Sequence, residues 1–458
     1  MSVQVTLSDG IISREVTAQV RALRWRIGMR APYDVVAPPA ECEVVLRNAD
    51  GSASPALDED GLLDPGTEVS ITRLTELGTQ GFFAGRIIAV VPDTGGRGRR
   101  QTRLIVRSGD SWLDDVRVRV PVMANVRSDV LLDAVLDVPP LDQLTRSLDT
   151  GTQSFAYAGD QWGGGLRAGN AVRQIVEAER GRFYATRGGV MRFLARDALA
   201  SSPTPDATFD RMAEKMELLH GADVINSVRV HVRPRALGAA GSTLWTLASA
   251  QKVRAGGSLR LVVPMRDAQG RQAGATSVIT PVPVTDYSAN TAPDGSGTDV
   301  TASLSVTVLS LEGSAAKLKF TNASGSPIYV LPGATLRGTP LLGGQPAVIE
   351  ATDDTSAARY GPRLLEIDAA LIDTLDDADQ TAALELARRA EPQSNVRTLT
   401  LSERVRYDDA LALTLFDAVR VIDTHCGVDG VYWIVGEAHE VTQGGARHTV
   451  AWTLEPVG

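Results

Sequence analysis

Alternating apolar and polar residues dominate residues 1–120 of the chain. The alternation is clearest over residues 2–7, 41–46, 69–74, 86–91 and 101–107. A period of two is typical of strands that bury one face. Stretches rich in Asn, Asp, Gly and Pro separate these segments. Such stretches favour turns, as in antiparallel hairpins. We therefore predict an N-terminal β-barrel domain over residues 1–125.

Helical spacing of apolar residues begins after this region, within residues 126–235. Ser128 is a candidate N-cap for a first helix, and the two prolines at 139–140 would end it. Apolar residues recur at helical spacing over residues 168–179, which predicts a second helix. Gly181 follows it and is a candidate left-handed C-cap.

A hairpin is predicted directly after the second helix. Two strand-like segments, 182–185 and 190–194, flank the dipeptide Gly188-Gly189, and such a glycine pair between short apolar runs favours a tight turn. A further strand is predicted over residues 224–232. Helix, hairpin and strand together predict an α+β domain over residues 126–235.

The composition shifts again over residues 236–350, which are rich in Gly, Ser, Thr, Ala and Pro. Short alternating runs persist there, so we predict an inserted, peripheral, β-sandwich-like domain and not a disordered linker. Residues 351–395 are predicted to be a helical connector with Asp376 or Asp377 as a cap. Residues 396–458 return to β-type alternation.

Two segments at opposite ends of the chain resemble each other. Residues 67–109 and 417–456 both contain a strand, a loop, an aromatic strand ending in glycine, a glycine turn and a returning strand. Matching Gly85 to Gly436 aligns the two. One interpretation is that any two hairpins of this composition look alike; the other is a pair of related small barrels, through which a trimer presents roughly sixfold symmetry.

Composition limits the possible classes of function. The 458 residues are enough for several compact units. The net charge of −9 argues against nucleic acid as a specific partner, since such binding depends on clustered Lys and Arg. No apolar run reaches the length of a membrane-spanning helix, and the start lacks a secretory signal pattern, so we expect synthesis in the cytoplasm. Cys42 and Cys426 are too isolated to indicate a disulfide framework.

Candidate catalytic chemistry is absent from the sequence pattern. His439 and His448 lie on the two arms of the predicted last hairpin, but no further ligand spacing accompanies them, so no metal site is predicted. The glycines at 163–165 lack the Lys-Ser/Thr that a phosphate-binding loop needs. Adjacent aspartates are typical of helix caps and solvated turns, not of carboxylates that face each other across a sugar. We predict no catalytic residue, no metal and no cofactor.

Candidate interface residues are of two kinds. The arginine-rich hairpin tip at 97–100 is either a solvated turn or a surface that faces an acidic neighbour, and dispersed tryptophans serve either as core anchors or as interface anchors. The candidates are Arg97, Arg99, Arg100, Trp25, Trp433 and Trp452.

Several packing segments, in their order and spacing, carry a resemblance to a known family. They are residues 23–28, 42–51, 83–87, 175–184, 224–230, 432–436 and 452–456. In these segments the sequence resembles the tail hub proteins of long-tailed phages, which include baseplate hubs of contractile tails and tail-tip hubs of non-contractile ones. The resemblance covers most of the chain outside residues 236–350.

The resemblance implies a fold and a function. The expected fold is mainly β with α+β: two hub-type β-barrel domains at the chain ends, an α+β middle domain and the inserted β domain. The expected function is that of a virion structural protein without enzymatic activity, a homotrimeric hub ring at the tail tip or baseplate. Its expected partners are further copies of itself, the distal tail or tail-tube protein, the tape-measure protein, and tip, spike or fibre proteins. DNA would pass through the lumen without specific binding.

Two other functions remain open from the sequence. The inserted domain could make the chain a tail adhesin that binds cell-surface carbohydrate. A tail-associated hydrolase is the third class, for which the sequence offers no paired carboxylates in a recognisable motif.

Overall fold

The structure is a computed structural model of the chain. It describes residues 3–75, 78–93, 95, 100–162, 165–200, 202–210, 215–402, 407–442 and 447–457. The buried hydrophobic residues form one core under the strands from both chain ends, a second under the middle helices, and a third within the insertion. The predicted mainly β fold with smaller α+β parts is confirmed.

The N-terminal unit is an antiparallel sheet. Its strands are β1 (Val3–Ser8), β2 (Ser13–Glu15), β3 (Val20–Gly28), β4 (Glu41–Arg47), β5 (Glu68–Thr75), β6 (Gly78–Asp93) and β7 (Gln101–Arg107). They pair in the order β3-β4-β7-β6-β5-β1-β2. Apolar residues such as Leu23, Val44 and Leu104 alternate with exposed polar ones and fill the core, as the sequence pattern predicts.

The middle of the chain follows with small sheets and two packed helices. Its elements are β8 (Arg117–Val118), β9 (Met123–Arg127), α1 (Ser128–Leu136), β10 (Arg146–Leu148), β11 (Ser154–Ala158), β12 (Leu166–Arg167), α2 (Ala168–Glu179), β13 (Arg182–Ala185), β14 (Met191–Leu194) and α3 (Arg196–Leu199). Strands β13 and β14 form the predicted hairpin.

Both predicted helix caps in this region are wrong by one residue. Ser128 is the first residue of α1, and Arg127 takes the N-cap position without a side-chain hydrogen bond. The Ser128 hydroxyl instead donates to buried Glu179 at 2.8 Å. At the end of α2, Arg180 takes the left-handed conformation with φ of 60°, where Gly181 was expected to do so. The Arg180 guanidinium has a buried carboxylate partner, Glu385, so the surrounding structure holds this residue in a conformation that is uncommon outside glycine.

The insertion is connected through two adjacent strands. After β15 (Ala207–Phe209), β16 (Lys215–His220) and β17 (Ser227–Val232), its strands are β18 (Arg235–Leu237), β19 (Ser242–Thr246), β20 (Gln251–Val253), β21 (Ser258–Pro264), β22 (Ala275–Ile279), β23 (Ala289–Asn290), β24 (Leu304–Glu312), β25 (Ala315–Asn322), β26 (Ile328–Val330) and β27 (Thr335–Gly343). The first and last of these, β18 and β27, pair antiparallel, so the chain enters and leaves the insertion at one place.

The remaining elements complete the middle and the C-terminal sheet. They are β28 (Ala347–Thr352), α4 (Asp354–Tyr360), β29 (Leu364–Ile367), α5 (Leu375–Arg389), β30 (Ser394–Ser402), α6 (Tyr407–Ala412), β31 (Ala418–Asp423), β32 (Val428–Thr442) and β33 (Arg447–Pro456). Strands β28 and β29 flank β17 in one sheet, so the predicted connector is part of the middle. The N-cap of α5 is Thr374, whose hydroxyl accepts from the Asp377 N–H, and not either aspartate.

The C-terminal unit repeats the strand order of the N-terminal unit. Its order β16-β30-β33-β32-β31-β15 corresponds to β3-β4-β7-β6-β5-β1. One pairing differs, because β15 is parallel to β31 whereas β1 is antiparallel to β5. Since β3 also pairs with β32, the two units form one continuous 13-stranded sheet and not two separate barrels.

The register of the repeat differs from the predicted alignment. In the N-terminal unit, the Gly66 N–H donates to the Ile87 carbonyl at 2.8 Å, and in the C-terminal unit the Phe416 N–H donates to the Ile434 carbonyl at 2.7 Å. Both donors have positive φ, 100° and 67°. A bulge follows each acceptor. Ile87 therefore corresponds to Ile434, and the alignment of Gly85 with Gly436 is wrong by four residues.

Candidate functional site

The seam between the two units is the pairing of β3 with β32. Residues 23–28 lie opposite 436–441, and the Met29 N–H donates to the Val435 carbonyl at 2.7 Å. The backbones approach closely at two glycines. A Cβ on Gly28 would lie 2.5 Å from the Val435 oxygen, and one on Gly436 would lie 2.2 Å from the Met29 oxygen. Glycine at these positions permits the contact.

A cluster of aromatic and charged side chains is buried behind the seam. The Trp25 and His439 rings stack with centroids 4.4 Å apart, and His439 Nδ1 lies 3.1 Å from His448 Nε2. Beside them, Arg187 donates from Nε and Nη2 to the two carboxylate oxygens of Glu437, both at 2.6 Å. Arg187 lies on the turn of the β13–β14 hairpin, so this ion pair attaches the middle of the chain to the sheet.

The electrostatics of this cluster follow from burial and from the ion pair. Burial alone would raise the pKa of Glu437, but the Arg187 guanidinium lowers it to about 2. Burial lowers the pKa of His439. Burial and the neighbouring His439 lower the pKa of His448 to about 3. At neutral pH the cluster therefore holds one ion pair and two neutral imidazoles.

A second buried ionic network joins the last strand to the middle. One carboxylate oxygen of Glu455 accepts from Arg182 at 2.7 Å and from Arg388 at 2.8 Å, and the other accepts from the Tyr33 N–H at 2.7 Å. Tyr33 has a φ of 68°, a conformation that is costly for a residue other than glycine. Three donors from distant parts of the chain thus converge on one buried carboxylate.

The opposite, solvent-facing side of the seam is concave and forms a cavity of about 670 Å³. Side chains that point away from the core line it: Arg24, Arg26, Glu41, Glu43, Arg103, Ile105, Arg107, Thr400, Ala438, Glu440, Thr449 and Ala451. Most of its charges are paired, with Arg24 2.7 Å from Glu440 and Arg107 3.4 Å from Glu41. We call this surface the concave face. It combines small and polar side chains, mostly paired charges and one exposed apolar residue, Ile105.

The described residues contain no group of three or more His, Cys, Asp or Glu side chains placed to hold a metal ion. His439 and His448 lie side by side, as their hairpin positions indicate. Two of the paired aspartates have local roles: Asp353 caps α4 by accepting from the Ser356 N–H at 2.9 Å, and Asp377 accepts from the Thr374 hydroxyl at 2.6 Å. Both cysteines are free. Gly163 and Gly164 lie outside the described residues. Among the described helices, none is long and apolar enough to span a membrane.

The predicted interface residues lie in different environments. Trp25 and Trp452 are 2% and 0% exposed and Trp433 is 9% exposed, so all three are in the core of the single chain. Arg100 is exposed at the hairpin tip, whereas Arg97 and Arg99 lie outside the described residues. Direct contact of the two most buried tryptophans with another protein would require the sheet to open, so their role in an interface stays a prediction.

Sequence reasoning missed the buried ionic residues Arg187, Glu437 and Glu455. Their signal in the sequence is weak but present. Glu437 and His439 occupy inward positions of an alternating strand, where apolar residues are expected. A charged residue at such a position requires a partner, because an unpaired buried charge is costly. The partner itself could not be found, since Arg187 is 250 residues away.

Comparison with solved structures shows what kind of fold this is. Over 99% of its length the chain is similar to the tail protein from Neisseria meningitidis MC58, with 97% of that chain covered, 11% identity and a TM-score of 0.52. It is also similar to the 43 kDa tail protein of prophage MuSo2 from Shewanella oneidensis, over 100% of this chain and 99% of that one, with 11% identity and a TM-score of 0.53.

The fold is thus that of phage tail proteins, as the sequence resemblance implies. No protein-family model matches the chain, and no curated protein matches it in sequence.

Proposed function

We propose that this chain is the structural subunit of a homotrimeric hub ring in a phage-type tail tip or baseplate. The observation that supports this most is the internal repeat. Two units with the same strand order are joined through one seam, so three copies would present six related units around an axis. The shared fold with phage tail proteins agrees with a structural role.

The concave face is our candidate for the wall of the central channel. Three of its four arginines, Arg24, Arg103 and Arg107, are paired with glutamates on neighbouring strands, and its other uncharged side chains are small or polar except for Ile105. Because phosphate binding depends on uncompensated Lys and Arg, such a wall would let DNA pass without holding it. The chain would act without a cofactor and without catalysis.

The proposed partners are further copies of this chain, the distal tail or tail-tube protein, the tape-measure protein, and tip, spike or fibre proteins. The inserted domain would lie on the outside. It has its own core and a two-strand connection, which agrees with a peripheral position. None of its aromatic residues is fully exposed, which does not favour carbohydrate binding by stacking on a flat aromatic surface.

Mass measurement tests the ring directly. The monomer is 48.6 kDa, and we expect native mass spectrometry of the purified protein, or of subcomplexes released from particles, to show a species of three chains. Cryo-electron microscopy of particles should place this ring at the tail end. A chain that stays monomeric both in solution and in particles would contradict the proposal.

A further inference from the structure

We infer that the outer half of β6, residues 88–93, pairs with β16 of a second copy of this chain. The inference rests on the proposed ring and names the surfaces that would close it. Among the described residues, residues 88–93 of β6 pair only with β7, and residues 215–219 of β16 pair only with β30. Both therefore present an unpaired strand edge, which favours pairing with another chain unless it is protected.

Strand β16 corresponds to β3, the strand that forms the internal seam. Leu23 lies opposite Val44 in the N-terminal unit as Met216 lies opposite Leu399 in the C-terminal unit. Counting five residues on from each leads to Gly28 and Gly221. Both glycines have positive φ, 80° and 71°. The edge strand that one unit uses at the seam is thus repeated in the other, where its second edge has no partner strand among the described residues.

The outer half of β6 corresponds to the half of β32 that receives β3. Ile88 and Val435 are the two bulge residues of the repeat. Val435 is 0% exposed, and its carbonyl accepts from the Met29 N–H next to the seam. Ile88 is 43% exposed. An apolar side chain is therefore exposed in one unit at the position that is buried beside the internal seam in the other.

If β16 and β6 of two copies pair in the same register as β3 and β32, the residues that face each other across the contact are determined. Arg26 lies opposite Ala438 at the seam, and the corresponding pair between copies is Leu219 opposite Val91. In a single chain, β16 and β6 are at opposite ends of the path β16-β30-β33-β32-β3-β4-β7-β6. The contact would therefore be head-to-tail, and such a contact closes into a ring of three when each copy is rotated by a third of a turn from the last.

We call the contact between copies the second seam. At two positions β6 carries a different residue from β32, and both differences would make the second seam weaker than the internal one. Ala89 stands where Gly436 permits close approach, and Pro92 stands where His439 has a backbone N–H. The added methyl group widens the contact, and proline removes one hydrogen-bond donor. A protected edge of this kind resists pairing with unrelated strands, so the second seam would form only when copies of this chain assemble.

Engineered disulfides test the register. In a C426S background, L219C combined with V91C should form disulfides between chains on oxidation, with bands at two and three times the monomer mass on non-reducing gels. The matched control is R26C combined with A438C, at the corresponding positions of the internal seam. It should oxidise within one chain and stay monomeric on the same gel.

The outcomes separate this inference from the ring itself. A trimer in which the internal control oxidises but L219C and V91C do not would overturn the pairing of β6 with β16 and leave the ring intact. A protein that is monomeric in solution and in particles would overturn both. As a second measurement, I88E should shift trimer to monomer in native mass spectrometry with an unchanged circular dichroism spectrum. V262E, at an exposed position of the insertion, should stay trimeric; a trimeric I88E variant would contradict the inference.

Discussion

At the scale of single residues, buried charges determine how the middle of the chain attaches to the sheet. Arg187 and Glu437 are both buried and share two hydrogen bonds, and Arg182 and Glu455 are buried in a second network. A buried ion pair contributes little net stability compared with apolar residues of the same size. Removing one partner, however, leaves an uncompensated charge, so each pair enforces one specific docking geometry.

The Arg187–Glu437 pair gives the first prediction. R187M leaves Glu437 buried without its partner, and we expect a loss of about 3–5 kcal/mol in the free energy of unfolding, measured by urea denaturation. The double variant R187M/E437L should recover part of this loss because no buried charge remains. R24M, which removes the exposed pair with Glu440, is the control and should cost less than about 1 kcal/mol. Equal losses in R187M and R24M would be contrary to our expectation.

The buried imidazoles give a prediction about pH. The pKa of His448 falls from its ordinary 6.5 to about 3 on folding, so between these values the unfolded chain binds a proton that the folded chain does not. The contribution of this histidine to the free energy of unfolding is then independent of pH above 6.5. As the pH falls from 6.5 toward 3, it lowers the free energy of unfolding by at most about 1.4 kcal/mol per pH unit.

The measurement is urea denaturation at a series of pH values. H448Q should reduce the loss of stability below pH 6.5, because the substituted residue does not titrate. H425Q, at an exposed turn, should retain the slope of the unmodified protein. A slope that H448Q leaves unchanged would show that this histidine does not cause the acid sensitivity.

At the scale of elements, the sequence predicts which face of a strand is buried, but it does not predict which strand pairs along each edge. The faces follow the alternation in the sequence; residues 101–107 are predicted as a strand and form β7 with those bounds. The edge partners do not follow from any local pattern. The internal repeat illustrates this, since the alignment of Gly85 with Gly436 is wrong by four residues, whereas the bulges at Ile88 and Val435 give the observed register.

The close approach at the seam predicts a steric effect. G436A would place a methyl group 2.2 Å from the Met29 carbonyl oxygen, and we expect a loss of about 1–3 kcal/mol in the free energy of unfolding. G81A, also in a long strand, has open space around its added Cβ and is the matched control. Thermal unfolding of both should show a lower Tm for G436A alone; equal Tm values would refute a tight seam.

At the scale of the whole molecule, the insertion has its own core and is joined to the rest through β18 and β27. The predicted end of the insertion at residue 350 is too late for a clean excision, because β28 belongs to the sheet around β17. This pairing links residues more than 100 positions apart, which composition alone does not reveal.

A deletion tests how independent the insertion is. Replacing residues 239–339 by a short Gly-Ser linker should leave a folded protein that still forms the ring, because the central cores stay intact. Circular dichroism and native mass spectrometry are the measurements. Normal tails that no longer attach to cells would favour the adhesin function for the insertion, whereas missing or unfinished tails would show that the insertion is needed for assembly.

The sequence by itself determined which residues point inward along most strands, the bounds of α2, the mainly β class and the likeness of the two chain ends. These properties depend on the period of apolar residues over a few positions, which is a local quantity. It also indicated that no known catalytic motif is present.

The tertiary structure alone decided that β3 joins β32, that Arg187 reaches Glu437, and that, among the described residues, one edge of β16 and one edge of the outer half of β6 have no partner strand. These contacts join residues hundreds of positions apart, and nothing in a local pattern encodes a partner at that distance. Backbone edges are chemically alike in every strand, so only the arrangement of the whole sheet determines which edges pair.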